Sequence, residues 1–296
     1  MNICILGAGA IGSLWACYLN NAGHTVSLWT RGSESSLSLS LDQQPAIVFP
    51  CNQETQLASA DLLIVTVKAW QVQSALLPIT SLLKPDCSIV FSHNGMGAVE
   101  AVLGQIFEHP AFFATTTHGA LRKNKQQVLH TGQGQTIIGP LNNKAEAGLD
   151  HLVQTFNLAL PPAQADRNIY QALWNKLAIN CCINPLTALK GCRNGQLAAR
   201  DTLEIIEILC IEISAVINAE GFSCDNTELF ARTKQVIEAT SENFSSMHQD
   251  IHNNRPTEID YITGYLLERA RAHDIDTPMN ENLFEQIKQK EAKNDH

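Results

Sequence analysis

A short apolar run, Ile3–Leu6, leads directly into Gly7-Ala8-Gly9-Ala10-Ile11-Gly12, and a helical pattern opens at once behind it. No other stretch narrows the fold as far. The spacing G-x-G-x-x-G alone is a weak signal, but between a strand and a helix it has a physical reading. Gly7 permits a tight turn, Gly9 lets a pyrophosphate approach the backbone, and Gly12 allows close helix packing. Ala8, Ala10 and Ile11 complete the loop, and the unpaired N–H groups of the helix N-terminus favour an anion there. The plainer alternative is that small residues merely suit a strand-to-helix turn. Apolar residues at 11, 14, 15, 18 and 19 keep a helical period up to Asn21, and Gly23 is the stop signal. Thr25–Trp29 reads as the next strand, which gives a β–α–β unit with a right-handed crossover.

Further strand candidates are Leu62–Val67, Ser88–Ser92 and Phe112–Thr116. Several are continuously apolar, as expected of strands buried on both faces of a parallel sheet. Val128–Leu129 and Thr136–Ile138 read as an antiparallel addition to that sheet. The Ser/Leu-rich residues 33–41 read as a loop, and nothing in 33–56 is assigned. A Pro-Pro step within Ala159–Ala165 marks a boundary. Beyond it strand signals vanish and helices are expected at 168–183, 195–220, 226–243, 256–273 and 280–291. The chain thus reads as an α/β Rossmann-type domain over 1–164 followed by an all-α domain over 165–296. Its 296 residues suffice for two such domains.

Charge removes several classes of partner. With 20 basic and 29 acidic residues the formal balance is −9. That excludes sequence-independent nucleic-acid binding and docking on anionic membranes, both of which need a cationic surface. No apolar run approaches the roughly 18 residues of a membrane span, and the N-terminus has no basic leader. The nine cysteines are odd in number and form no C-x-x-C. They read as reduced core fillers of a cytoplasmic protein.

The end of the second strand bears on which nicotinamide nucleotide binds. Leu28-Trp29-Thr30-Arg31 carries no acid before Glu34. A carboxylate there would serve a ribose 2′-hydroxyl, whereas Arg31 can grip a 2′-phosphate, so NADPH is expected over NADH. Lys68, followed by Ala69-Trp70-Gln71, and the loop Asn94-Gly95-Met96-Gly97 both fall after strand ends, where ligands bind in open α/β sheets.

In the helical half, Lys176, Asn180 and Asn184 recur every four residues in an otherwise apolar segment, which puts them on one helix face. Two readings stand: a polar catalytic stripe, or a snorkelling lysine with bridging amides. Pro185 is expected to end or kink that helix. Asn243-Phe244-Ser245-Ser246-Met247 forms a second polar cluster. Pro256 suits a first helical position, which would place Glu258 in the first turn, where dipole complementarity is the simplest explanation. His248 and His252 share a spacing that a metal could use, but no third ligand is near in sequence, so no metal is assigned.

These strings together resemble the ketopantoate reductase family. The likeness runs through GAGAIG at 7–12, TVKAWQ at 66–71, HNGMG at 93–97, TTTHGA at 115–120, LWNKLAINCCINPLTAL at 173–189, and SENFSSMHQDI with TEIDYITGYLLERARAH at 241–273. The resemblance implies NADPH-dependent reduction of 2-dehydropantoate to (R)-pantoate, on the route to pantothenate and coenzyme A, at a site between the two domains. It implies Lys176 as proton donor and Glu258 as a second active-site group beside cofactor and substrate hydroxyl. It implies Asn94, Asn180, Asn184, Asn194 and Ser246 as substrate-side residues. The loop 7–12, Arg31, Lys68, Gln71, Asn94, Ala120 and Glu258 match cofactor-side positions. The expected partner is a small ketoacid, with the chain a monomer or homodimer. Two other readings are kept: reduction of another 2-oxo acid, and a non-catalytic NADPH-binding sensor.

Overall fold

A computed structural model describes residues 1–294. The chain forms two compact units, Met1–His93 with Ala98–Ala172, and Asn94–Gly97 with Leu173–His296. The division at 172/173 lies inside a continuous helix, whereas the Pro-Pro step is followed by one more strand of the first unit.

Among the described residues the first unit carries every strand: β1 (Asn2–Leu6), β2 (Thr25–Trp29), β3 (Ser36–Leu41), β4 (Ile47–Pro50), β5 (Leu62–Val65), β6 (Ser88–Phe91), β7 (Ala111–Thr116), β8 (Gly119–Arg122), β9 (Gln127–Gly132), β10 (Thr136–Pro140) and β11 (Ala163–Ala165). Its helices are α1 (Ala10–Asn21), α2 (Glu54–Ala58), α3 (Val72–Thr80), α4 (Glu100–Leu103) and α5 (Leu149–Ala159). The main sheet has seven strands in the order β11-β10-β7-β6-β5-β1-β2. From β7 to β2 all pairs are parallel, and β10 joins β7 antiparallel. β5 and β7 are buried at every residue, which explains the unbroken apolar sequence of Leu62–Val65 and of Ala111–Ala114.

A second sheet, β4-β3-β9-β8, was not foreseen. Residues 36–41 (SLSLSL) are its strand β3 rather than a loop. Their alternation buries Leu39 and Leu41 in the same core as Ile3, Ile5, Leu14 and Trp15. Val128 likewise belongs to this sheet and not to the main one, whereas 136–138 does extend the main sheet. α1 is consequently covered from two sides, and Gly12 to Cys17 are buried without a break. Trp15 of α1 meets Phe156 of α5 at a ring separation of 4.6 Å.

The second unit is helical: α6 (Ile169–Lys190, entering it at Leu173), α7 (Arg200–Ala219), α8 (Asn226–Ala239), α9 (Ser246–His252), α10 (Thr263–Ala272) and α11 (Pro278–Asn294). α6 does not end at Pro185. Residues 181–188 are all buried, and that burial outweighs the one backbone bond a proline deletes. The helix stops at Gly191, which sits at φ +64° while the Cys192 amide donates back to the Thr187 carbonyl. Lys290 of α11 donates to the carbonyls of Ala188 and Leu189 and so satisfies the last turn. The buried Glu212 of α7 accepts from the Met279 and Asn280 amides and fixes the start of α11. Among the described residues no helix is long and apolar enough to cross a membrane.

Candidate active site

In the first unit the loop between β1 and α1 is held from below by Thr66, whose hydroxyl donates to the Gly7 carbonyl at 2.7 Å. Gly12 has no room for a side chain: a Cβ there would stand 2.0 Å from the Gly7 oxygen. Gly9 is the opposite case, with nothing within 4 Å of the corresponding position. A loop closed beneath and open above is what a pyrophosphate at a helix N-terminus requires. Ala8, Ala10 and Ile11 fill the rest of the turn.

Arg31 is exposed just beyond β2. Its loop is tied down by Asn52, a residue at φ +54° whose side chain accepts from Thr30 N and donates to the carbonyls of Gly32 and Glu34. Lys68 and Gln71 lie together after β5, and the Gln71 amide oxygen accepts from Lys68 N at 3.2 Å. Ala120 sits on β8, facing the core around α1.

In the second unit Lys176, Asn180 and Asn184 share the unbroken helix α6, so their four-residue spacing holds them on one face. Lys176 is half-buried, and desolvation pulls its ammonium from an ordinary 10.5 down to about 8, opposed by the nearby Glu258 carboxylate. Glu258 is 4% exposed. It does not occupy a first α-helical turn: it precedes a short 3₁₀ turn, Ile259–Tyr261, and α10 begins only at Thr263. Dipole complementarity therefore does not account for its burial. Its carboxylate accepts from Asn94 Nδ2 at 3.3 Å.

Asn94 reaches that position because its loop is locked to the same turn. The Met96 amide donates to the Tyr261 carbonyl, and Gly95 lies at φ +80° with no room for a Cβ, which would stand 2.4 Å from that oxygen. Asn194 is anchored by its own amide to Asn243 O and through Nδ2 to Thr240 Oγ1 at 2.8 Å. Its Oδ1 is buried and has no protein partner. Ser246 is exposed at the first residue of α9. The buried neighbour, Ser245, caps α9 by accepting from His248 N, and it accepts a second bond from Thr187 at 2.7 Å. His248 stacks between Phe244 and His252, and no group of three metal-ligating side chains occurs among the described residues.

Two family models match. One described as ketopantoate reductase PanE/ApbA spans residues 3–143, and the ketopantoate reductase PanE/ApbA C-terminal model spans 168–291. The chain belongs to the ketopantoate reductase family. It is 49% identical to a 2-dehydropantoate 2-reductase of Vibrio cholerae over 288 residues, 97% of each chain. It is 42% identical to the corresponding protein of Escherichia coli O157:H7, over 99% of this chain and 96% of that one. Among solved structures, D-mandelate dehydrogenase with NADH and anilino(oxo)acetate superposes with a TM-score of 0.90 at 25% identity, covering all of both chains.

Several residues that shape this ketopantoate reductase fold escaped the sequence reading. Thr66, Asn52, Tyr261, Thr240 and Ser245 act by holding a loop or a neighbouring side chain. Only Ser245 carried a local signal, a serine ahead of a helical run. The others bond across long stretches of chain.

Proposed function

We propose that this protein reduces 2-dehydropantoate to (R)-pantoate with NADPH, residues 1–164 holding the cofactor and 165–296 the substrate. The observation that carries the reading is the lysine of α6, desolvated and paired in charge with the buried Glu258, whose carboxylate also receives Asn94. When bound, NADPH supplies the hydride to the C2 carbonyl carbon. The cradle at Gly7–Gly12, open above Gly9, fits its pyrophosphate. Arg31 and Lys68 add positive charge on the same side, and Gln71 braces the turn that carries Lys68. Ala120 provides a small surface beside the cofactor.

Charge developing on the carbonyl oxygen is met by the Lys176 ammonium, which then donates the proton from Nζ. Glu258 keeps that nitrogen protonated near neutrality and accepts from the substrate hydroxyl. Asn94, Asn180, Asn184 and Asn194 orient the ketoacid, the free Oδ1 of Asn194 being one acceptor, and Ser246 binds on the carboxylate side. The nine free thiols support action in the cytoplasm, and the chain is assigned as a monomer or homodimer with no nucleic-acid or membrane partner.

The test is NADPH oxidation by purified protein with 2-dehydropantoate, run beside NADH and beside other 2-oxo acids. Turnover should be fastest with 2-dehydropantoate and NADPH. Arg31→Ala should raise KM for NADPH far more than for NADH, and equal effects would remove Arg31 from the 2′-phosphate. The structural likeness to D-mandelate dehydrogenase favours one second reading, reduction of a different 2-oxo acid, which a preference for another member of the panel would support. Cofactor binding without turnover on any ketoacid would leave a sensor instead.

A further inference from the structure

The sequence reading gave Arg122 no role, yet the structure folds it onto the nucleotide loop. It lies on β8, two residues beyond Ala120, so both side chains project from the same face of the strand while Leu121 between them is exposed. That face is turned toward α1. The guanidinium donates through Nη1 to the carbonyl of Ala8, inside the Gly7–Gly12 loop. Nε donates to the carbonyl of Asn124 and Nη2 to that of Lys125. All three acceptors are neutral backbone oxygens. Burial alone depresses its titration, with no carboxylate contributing. A half-buried guanidinium without an anion is a costly arrangement unless a ligand supplies one. The chain as a whole is acidic at −9, so an anionic ligand must be drawn by individually placed cations.

We propose that Arg122 is a further cofactor-binding residue that answers the pyrophosphate of the dinucleotide across the loop at Ala8. The inference rests on the cofactor reading above. It assigns a contact common to NADPH and NADH, distinct from the 2′-phosphate contact assigned to Arg31.

The experiment measures dissociation constants of the full-length protein for NADPH and NADH by quenching of protein fluorescence, at low and high salt, in native, Arg122→Gln, Arg122→Lys and Arg31→Ala forms. Arg122→Gln should weaken both nucleotides by the same factor, roughly 10–100-fold, and flatten the salt dependence. Arg122→Lys should recover part of the loss, because the charge returns without the planar fork. Unchanged affinity in Arg122→Gln, or a loss confined to NADPH, overturns the proposal. So does an equal loss in the Gln and Lys variants with a lowered melting temperature of the free protein, since Arg122 would then only brace the loop. If the native protein binds neither nucleotide, the cofactor reading itself fails and takes this one with it.

Discussion

Replacing Glu258 by Gln should move the protonation of Lys176 and leave most of the surrounding packing intact. Burial lowers the Lys176 ammonium to about 8, and the Glu258 carboxylate acts in the opposite direction. At that value about 90% of the lysine is charged at pH 7 and about half at pH 8, by the ordinary titration relation. An opposite charge within a few ångströms is worth about one to three pKa units. Its removal therefore lowers the lysine further, so less of it is charged at any pH near neutrality. The active form is the acid, so its loss appears as the basic limb of the pH–rate profile. In Glu258→Gln that limb should shift toward acid by about one unit or more. At pH 8 the charged fraction falls from about half to about a tenth or less, a loss of at least about fivefold from protonation alone. On the acid side of both limbs, where both forms are charged, the remaining deficit reports the contacts of Glu258 with substrate. The assay is kcat/KM for 2-dehydropantoate from pH 5.5 to 9.5 at saturating NADPH. A basic limb at the same pH in native and variant would refute the coupling, and its survival in Lys176→Ala would assign it to another group.

Lys176→Ala should reduce kcat by roughly 10²–10⁴-fold if Nζ is the proton donor, and turnover within a few-fold of native would remove that role. Stability offers an independent check on the same lysine. Its folded value, about 8, lies below the ordinary 10.5, so between these pH values the unfolded chain holds more protons and native stability should rise with pH. The penalty is fully present below about pH 8, amounts to about 3 kcal/mol, and should vanish in Lys176→Met, so the stability difference between the two proteins should shrink as pH climbs to 10.5. A constant difference in denaturant melts would contradict the burial of a charged lysine. In the nucleotide loop, Gly9→Ala should stay within about 0.5 kcal/mol of native stability yet lose NADPH affinity, because its Cβ meets open space where the pyrophosphate belongs. Gly12→Ala should fail to fold normally, since its Cβ would overlap the Gly7 carbonyl, and thermal unfolding of the pair separates the two roles.

The parallel sheet was legible because strands buried on both faces leave unbroken apolar runs, as in Leu62–Val65 and Ala111–Ala114. The Gly7–Gly12 loop and the stripe Lys176, Asn180, Asn184 were legible because both are local, one a turn and one a helix face. β3 carried a clean alternation in SLSLSL, but Ser and Leu give no strong strand propensity, and the strand that joins it to the rest of its sheet, β9, is distant in sequence. α6 does not end at Pro185, because the burial of residues 181–188 outweighs the one backbone bond that a proline removes.

Sequence by itself therefore determined the order of the two halves, the nucleotide loop and the spacing of polar groups along α6, all of which depend on neighbours a few residues apart. Tertiary structure alone decided that Glu258 is buried beside Lys176 rather than capping a helix, that Asn94 reaches it through a loop locked onto Tyr261, and that Arg122 leans on Ala8. Those relations join residues far apart in the chain. Desolvation and charge pairing act through space, and no periodicity along a sequence records them.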